Sequence, residues 1–232
     1  INHWTHFLRQ CKHIFAVTYT AKMSLIENSW AFDEKISVVN HSYNESVFNG
    51  LGDLSTENVK KQNELRIVFI GRIENEKGID EVIKIANLLP HAKVFVIGSG
   101  TQESKLTTSE NKNIEYFGYL SDKQTIAQIL IKSDFLILPS KKRDDGWEEL
   151  FGMVIIESMA CGCIPFTTNH VGPREILNLF PNLLSGEESF VSSFIKLTEE
   201  IDISSTKTRV KREALKYKLD AIKHKWNDIN DK

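Results

Sequence analysis

Two carboxylates, Glu149 and Glu157, stand eight positions apart in the run WEELFGMVIIESMACG, with Phe151-Gly152 between them. Carboxylates accept hydroxyl hydrogen bonds strongly. At the 1.5 Å rise of an α-helix, eight residues span about 12 Å. A nucleotide sugar fits that reach, with ribose at one carboxylate, hexose at the other and pyrophosphate between. Phe151-Gly152 is expected to open a helix whose free N–H groups and dipole favour phosphate. A Glu pair on an amphipathic helix is ordinarily a solvated face. Here Val154, Ile155, Ile156 and Met159 make the helix apolar, so Glu157 is expected to need a specific partner. Glu148 adjoins Glu149, but only Glu149 has both the spacing to Glu157 and the Phe-Gly two positions on.

Cations and glycines recur at other points. In GRIENEKG, 71–78, Gly71 allows a tight turn. Arg72 can then grip phosphate oxygens bidentately and Lys77 can add a point charge; solvated surface charge is the plain alternative. Gly98-Ser99-Gly100 permits a close backbone approach to a ligand, or simply a turn. In Gly118-Tyr119-Leu120, Leu120 either presses on a flat base or belongs to the core. Lys141-Lys142-Arg143, followed by Asp144-Asp145, reads as a mobile solvated loop, with contact to an acceptor or lipid phosphate as the other reading. Trp147 is expected to pack over the loop.

These residues need elements to hold them. Short apolar runs at 14–17, 35–39, 65–70, 93–98, 114–117, 134–139 and 163–168 read as strands. Helical periodicity covers 21–29, 79–89, 123–132, 152–160 and 187–201, with a charged helical tail over 207–231. Strands apolar on both faces, alternating with helices, predict an α/β fold, a Rossmann-like parallel sheet with helices on both faces. Ligands in such sheets bind beyond the carboxyl ends of the strands, which directs attention to the loops after Ile70, Ile97, Phe117, Leu138 and Thr168. The polar stretch 40–63, with Asn49-Gly50 and Gly52-Asp53, carries turn signals. The expected division is 1–49, 50–64 as linker, 65–206, and 207–232 as a C-terminal helix.

Composition removes several classes. Of 232 residues 41% are hydrophobic and 26% charged, with a formal net charge of −2. Such a chain is globular and has no basic excess to attract nucleic acid. No run of about 18 apolar residues suggests a membrane span. Cys161 and Cys163 form a C-x-C without a second pair or a histidine cluster, so they read as small residues at a helix end and a strand start rather than a zinc site. The chain opens on Ile1 rather than Met, which leads us to expect a piece of something longer.

The motifs, taken in order, are GR-xxxx-KG, V-xx-GSG, FG-x-L, LPS…EELFGMVIIESMACG-x-P and VGPREI. Together they resemble the donor domain of GT-B retaining glycosyltransferases, in particular glycosyltransferase family 4. The resemblance is close over about 65–176 and looser over 14–48, which is similar to the end of the N-terminal Rossmann domain of that fold. It implies that Arg72 and Lys77 hold the donor pyrophosphate and stabilise the leaving nucleoside diphosphate, with Glu149 on the donor sugar hydroxyls; these three form the catalytic set. It implies a donor-binding set of Gly71, Gly98, Gly100, Leu120, Ser140, Phe151, Gly152, Met153 and Glu157, the last on the ribose hydroxyls.

The resemblance further implies transfer with retention, no bound metal and no cofactor beyond a UDP- or GDP-sugar substrate. Glycan or lipid-linked acceptors, a cytoplasmic location with peripheral contact at the inner membrane face, and a further N-terminal domain supplying the acceptor site belong to the same expectation. Ser158 stands where the family often has Ala. His170-Val171-Gly172 carries one glycine where two are usual. The terminal helix, with Trp226, is expected to cross back toward the N-terminal domain. A phosphorylase or epimerase on the same fold, and a non-catalytic binding or scaffold protein, are the competing readings.

Overall fold

The structure is a computed structural model and describes residues 3–50, 64–107 and 111–227. The expected linker at 50–64 therefore falls, apart from its two end positions, outside the described residues. The chain begins with α1 (His3–Gln10), β1 (Ile14–Ala16), α2 (Tyr19–Glu27) and β2 (Ile36–Val38). It continues through β3 (Arg66–Ile70), α3 (Ile79–Leu88), β4 (Lys93–Ile97), α4 (Ser104–Thr107), β5 (Ile114–Gly118), α5 (Lys123–Lys132) and β6 (Phe135–Leu138). Then follow α6 (Met153–Ala160), β7 (Ile164–Thr168), α7 (Val171–Ile176), β8 (Leu184–Ser185) and α8 (Phe190–Glu200). The tail holds α9 (Ile203–Ala214), α10 (Leu219–Ile222) and α11 (His224–Asn227).

Strands β3–β8 form one six-stranded sheet in the order β5-β4-β3-β6-β7-β8, and every pairing is parallel. Every residue of β6 and β7 is buried, as a strand covered by helices on both faces must be. Under this sheet Phe166 meets Phe190 and Phe194 with ring centroids at 4.9 and 5.3 Å, and Phe135 meets Phe194 at 5.3 Å. Buried Asp134 accepts from the Arg66 amide at 3.0 Å and pairs with Lys207 at 2.9 Å, so its charge is compensated. Cys161 caps the end of α6 and Cys163 directly precedes β7. Burial pushes the Cys161 thiol up to about 12.

Strand order reverses between β3 and β6. From β3 the chain steps outward through β4 to β5, then returns to β6 and proceeds the other way to β8. A crevice outside the carboxyl ends of the two central strands is the binding position such a sheet offers. The loops leaving β3 and β6 are 71–78 and 139–152, which carry Arg72, Lys77 and Glu149.

Strands β1 and β2 form a separate two-stranded parallel sheet, in register from Ile14↔Ile36 to Ala16↔Val38. It is tied to the larger body at several points. The Glu175 carboxylate accepts from the Tyr19 and Thr20 amides at the start of α2, at 2.7 and 2.6 Å. His41 meets Phe151 edge-on at 5.1 Å, and Trp226 of α11 lies 4.4 Å from Phe15 of β1.

The tail is not the single helix expected over 207–232. It starts earlier, where the Asp202 side chain caps α9 by accepting from the Ser205 amide. It breaks at Leu215–Tyr217, a 3-10 turn, after which Lys218 is extended. The break lets Tyr217 bury beside Phe151 and lets its carbonyl accept from the Tyr43 amide at 3.3 Å. Helices α1, α4 and α7 and the two-residue β8 were not anticipated. Each is short, and short segments owe their form to the surface they lie on more than to propensity.

Candidate functional site

The loops from β3 and β6 lie against each other. The Lys141 amide donates to the Glu76 carbonyl at 2.8 Å, which seats the 3-10 turn Asn75–Lys77 beside the chain leaving β6. Lys77 therefore reaches across: its Nζ is 2.5 Å from Glu149 Oε2, and both side chains are largely buried. The same ammonium sits 4.8 Å from the centre of the Trp147 ring. A cation held between a carboxylate and an aromatic face in a sheltered site is a strong local field. Trp147 is presented by a tight turn in which the Gly146 amide donates to Arg143 O at 2.9 Å and the Trp147 amide to Asp145 Oδ1 at 3.1 Å. Arg72 is exposed and pairs with Glu76 at 3.1 Å.

The basic run beside the site is paired rather than freely solvated. Lys141 meets Glu81 at 3.0 Å, Lys142 meets Glu148 at 3.4 Å and Arg143 meets Asp145 at 2.7 Å. Glu148 and Glu149 divide their work. Glu148 accepts from the Val171 amide at 3.3 Å, at the start of α7, while Glu149 turns toward Lys77. The Glu149 backbone is held from the same side: its amide donates to His170 Nδ1 at 3.1 Å and its carbonyl accepts from the Gly172 amide at 3.0 Å. Gly172 lies so close to this loop that a Cβ would fall 2.4 Å from the Leu150 carbonyl carbon and the Phe151 nitrogen, so only a residue without a side chain fits there.

The second carboxylate lies deeper. Glu157 is buried within α6, and burial pushes its carboxyl above the usual range, partly offset by Lys123, whose Nζ is 3.7 Å away. Lys123 also lines a cleft of about 280 Å³ with Gly71, Arg72, Gly98, Tyr119 and Leu120. Leu120 packs partly on the core, while Tyr119 is 74% exposed. Arg72, Gly71, Gly98 and Leu120 thus share one cleft, Lys77 and Glu149 form a pair, and Lys123 joins the cleft to Glu157.

The structure adds three details to these expectations. First, α6 begins at Met153, with Gly152 as a left-handed cap at φ +84°. Glu149 precedes the helix, as expected from the sequence, so the helical rise used to span the two carboxylates applies only from Met153 onward. Second, Gly98 and Gly100 also pass close to protein: a Cβ would lie 1.8 Å from Gly71 O and 2.4 Å from Ile73 O respectively. They let the loop after β4 press on the loop after β3. Third, Phe151 and Ser140 are buried, and the Phe151 ring is held between His41 and Tyr217. The expected contact at Phe151, Gly152 and Met153 is through the backbone, so the buried Phe151 ring does not bear on it. Met153 is the first residue of α6, which no side chain caps.

Sequence reasoning missed Lys123, Tyr119 and the anchoring role of His170, and it did not connect Trp147 to Lys77. Tyr119 lay inside a quoted motif, and an exposed aromatic on a strand-end loop was a usable signal. His170 and Lys123 carried none, because their roles depend on partners 21 and 34 positions away in the chain.

Comparison with known proteins bears on the family and the fold. The family described as "Glycosyl transferases group 1" matches residues 53–200, more than half of the chain. An uncharacterized 42.6 kDa protein in the cps region of Klebsiella pneumoniae is 30% identical over 167 residues, 71% of this chain and 41% of its own length. Phosphatidyl-myo-inositol mannosyltransferase of Propionibacterium freudenreichii is 28% identical over 173 residues, 70% of this chain and 40% of its own length. The chain thus spans about two fifths of these relatives.

Among solved structures, a glycosyltransferase from Rickettsia africae superposes with a TM-score of 0.77 at 20% identity, over 99% of this chain and 66% of that one. Anabaena HepE in complex with UDP superposes with a TM-score of 0.76 at 15% identity, over 97% of this chain and 65% of that one. The fold is that of the C-terminal half of GT-B enzymes, and with a family match across the paired loops at the sheet's switch point the chain belongs to the group 1 glycosyltransferases.

Proposed function

We propose that this chain is the donor-binding part of a retaining glycosyltransferase that moves a sugar from a UDP- or GDP-sugar to a glycan or lipid-linked acceptor. The observation that carries the reading is the sheltered Lys77–Glu149 pair at the switch point, 2.5 Å apart and under Trp147. A donor entering the crevice separates the two. Lys77 turns to the pyrophosphate with Arg72, and Glu149 is released to accept from sugar hydroxyls. As the bond between the anomeric carbon and the phosphate oxygen breaks, negative charge grows on the nucleoside diphosphate. Fixed cations there favour the transition state over the ground state. Glu157 takes the ribose hydroxyls, with Tyr119 and Leu120 framing the base.

Relatives lend support without deciding donor or acceptor. Several of their names specify GDP-mannose and phosphatidylinositol mannosides, HepE was solved with UDP, and two relatives are proteins of a cps region. Among the described residues no helix is long and apolar enough to cross a membrane. In this proposal the acceptor site belongs to a further N-terminal domain, and the present chain binds donor without transferring sugar.

Calorimetric titration with UDP, GDP and ADP in metal-free buffer tests the reading. One of them binds, and Lys77→Ala weakens it about 10- to 100-fold, the usual worth of a hydrogen bond to a charged group, while nucleoside binding stays unchanged. Binding of none would overturn the proposal for this chain. Equal loss of nucleoside and diphosphate would remove Lys77 from the phosphate site.

A further inference from the structure

We propose that His170 is a positioning residue for Glu149, aiming its carboxylate through the backbone without touching substrate. The inference rests on the donor-site reading above. The Glu149 amide donates to His170 Nδ1 at 3.1 Å, so Nδ1 carries a lone pair. The ring proton is then on Nε2, which faces Glu187 Oε1 at 3.1 Å. Both nitrogens are committed and the ring is only 1% exposed. It cannot act as a base toward a ligand in the crevice. What it can do is hold its neighbour in one orientation.

That hold matters because the chain around Glu149 has no other regular support. Residues 139–152 form neither helix nor strand. The two polar groups of the Glu149 main chain are instead fixed by the start of α7: the amide by His170, the carbonyl by the Gly172 amide at 3.0 Å. Two anchors on one residue set the direction of its side chain toward Lys77. Glu187 fixes the ring from behind, and it is itself held by the Lys142 amide at 3.0 Å. The result is a relay from Glu187 through His170 to Glu149 that places a carboxylate on an irregular loop with the precision a reactive site needs.

Two substitutions separate the ring's two bonds. In His170→Asn the amide oxygen stands near the place of Nδ1 and still accepts from Glu149. In His170→Gln the amide nitrogen stands near the place of Nε2, keeping Glu187 and losing Glu149. The full chain is titrated with UDP and UDP-glucose, and with GDP and GDP-mannose, after circular dichroism confirms the fold. His170→Gln weakens the nucleotide sugar about tenfold, the loss of one positioned hydrogen bond, and leaves the diphosphate unchanged. His170→Asn keeps the wild-type ratio of the two affinities within about threefold, below the energy of one such bond. Glu187→Ala, which leaves the ring without its rear contact, gives a smaller loss of the same selective kind and carries the test if His170→Gln fails to fold.

Equal loss of both ligands, equal behaviour of the Asn and Gln variants, or an unchanged ratio in His170→Gln each overturns the positioning role. A wild-type chain that binds the diphosphate but not the nucleotide sugar overturns it as well. A wild-type chain that binds neither ligand removes the donor-site reading itself, and that outcome is distinct from the rest.

Discussion

The two sheets of this molecule are built on different terms. The six-stranded sheet buries Phe69, Phe135, Phe166, Phe190 and Phe194 within one continuous core. Among the described residues the two-stranded sheet has a buried core of Ala16, Ala31 and Ile36, with Phe15, Trp30 and Phe32 left at the surface. Two strands alone cannot bury enough apolar area to be stable in water. The small sheet keeps its shape by leaning on the large one, through Glu175, through Phe151 against His41 and through Trp226 against Phe15. Phe151 also lies two positions after Glu149 in the chain, so the contact that supports the small sheet adjoins the candidate site.

The largest effect that would test this contrast comes from Phe166→Ala. Removing a fully buried ring that touches two others costs about 3–5 kcal/mol. Chemical denaturation followed by hydrogen exchange should show both sheets losing protection together. Retained protection in β1 and β2 would mean that the small sheet stands alone. Glu175→Ala is smaller. It removes two hydrogen bonds to a partly exposed carboxylate, so about 1–2 kcal/mol is expected, with faster exchange confined to residues 14–38. A melting shift as large as that of Phe166→Ala would show that the small sheet carries global stability.

The finest test is a slope rather than a step. Burial raises the Glu157 carboxyl above its unfolded range. The folded state therefore binds this proton more readily than the unfolded chain. Stability contributed here rises as pH falls through the raised value toward the ordinary glutamate value. Glu157→Gln should lack that rise, measured by denaturation at a series of pH values from the ordinary glutamate value upward. Affinity for ribonucleotides should fall over the same window in the wild type, since a protonated Glu157 loses accepting capacity. Identical pH profiles for the two proteins would take Glu157 out of the buried part of the site.

Much of the large sheet was legible in the residues. Runs such as Phe135–Leu138 and Ile164–Thr168 are apolar on both faces, and that pattern suits little else than a covered parallel strand. The rule that ligands lie beyond the carboxyl ends of strands brought Arg72, Lys77 and Glu149 into view without any coordinates. The break of the tail at Leu215–Tyr217 was not legible, because nothing local forbids a continuous helix there. It follows from Tyr217 packing beside Phe151, a contact between residues far apart in the chain. Helix α7 was hidden for a related reason: it is short, and its first turn is stabilised by Glu148 and held against the loop before α6.

The sequence by itself determined the fold class, the alternation of strands and helices, and the residues whose chemistry suits a phosphate and a polyhydroxylated ligand. Those follow from periodicity, composition and the order of motifs, all of which are local along the chain. Tertiary structure alone decided which of those groups meet. Lys77 faces Glu149 across 72 positions and lies under Trp147, Lys123 reaches Glu157, and His170 holds the backbone of Glu149. The physical reason is that short-range electrostatics and hydrogen bonds act over a few ångströms of space, and only the closed sheet brings such distant segments within that range.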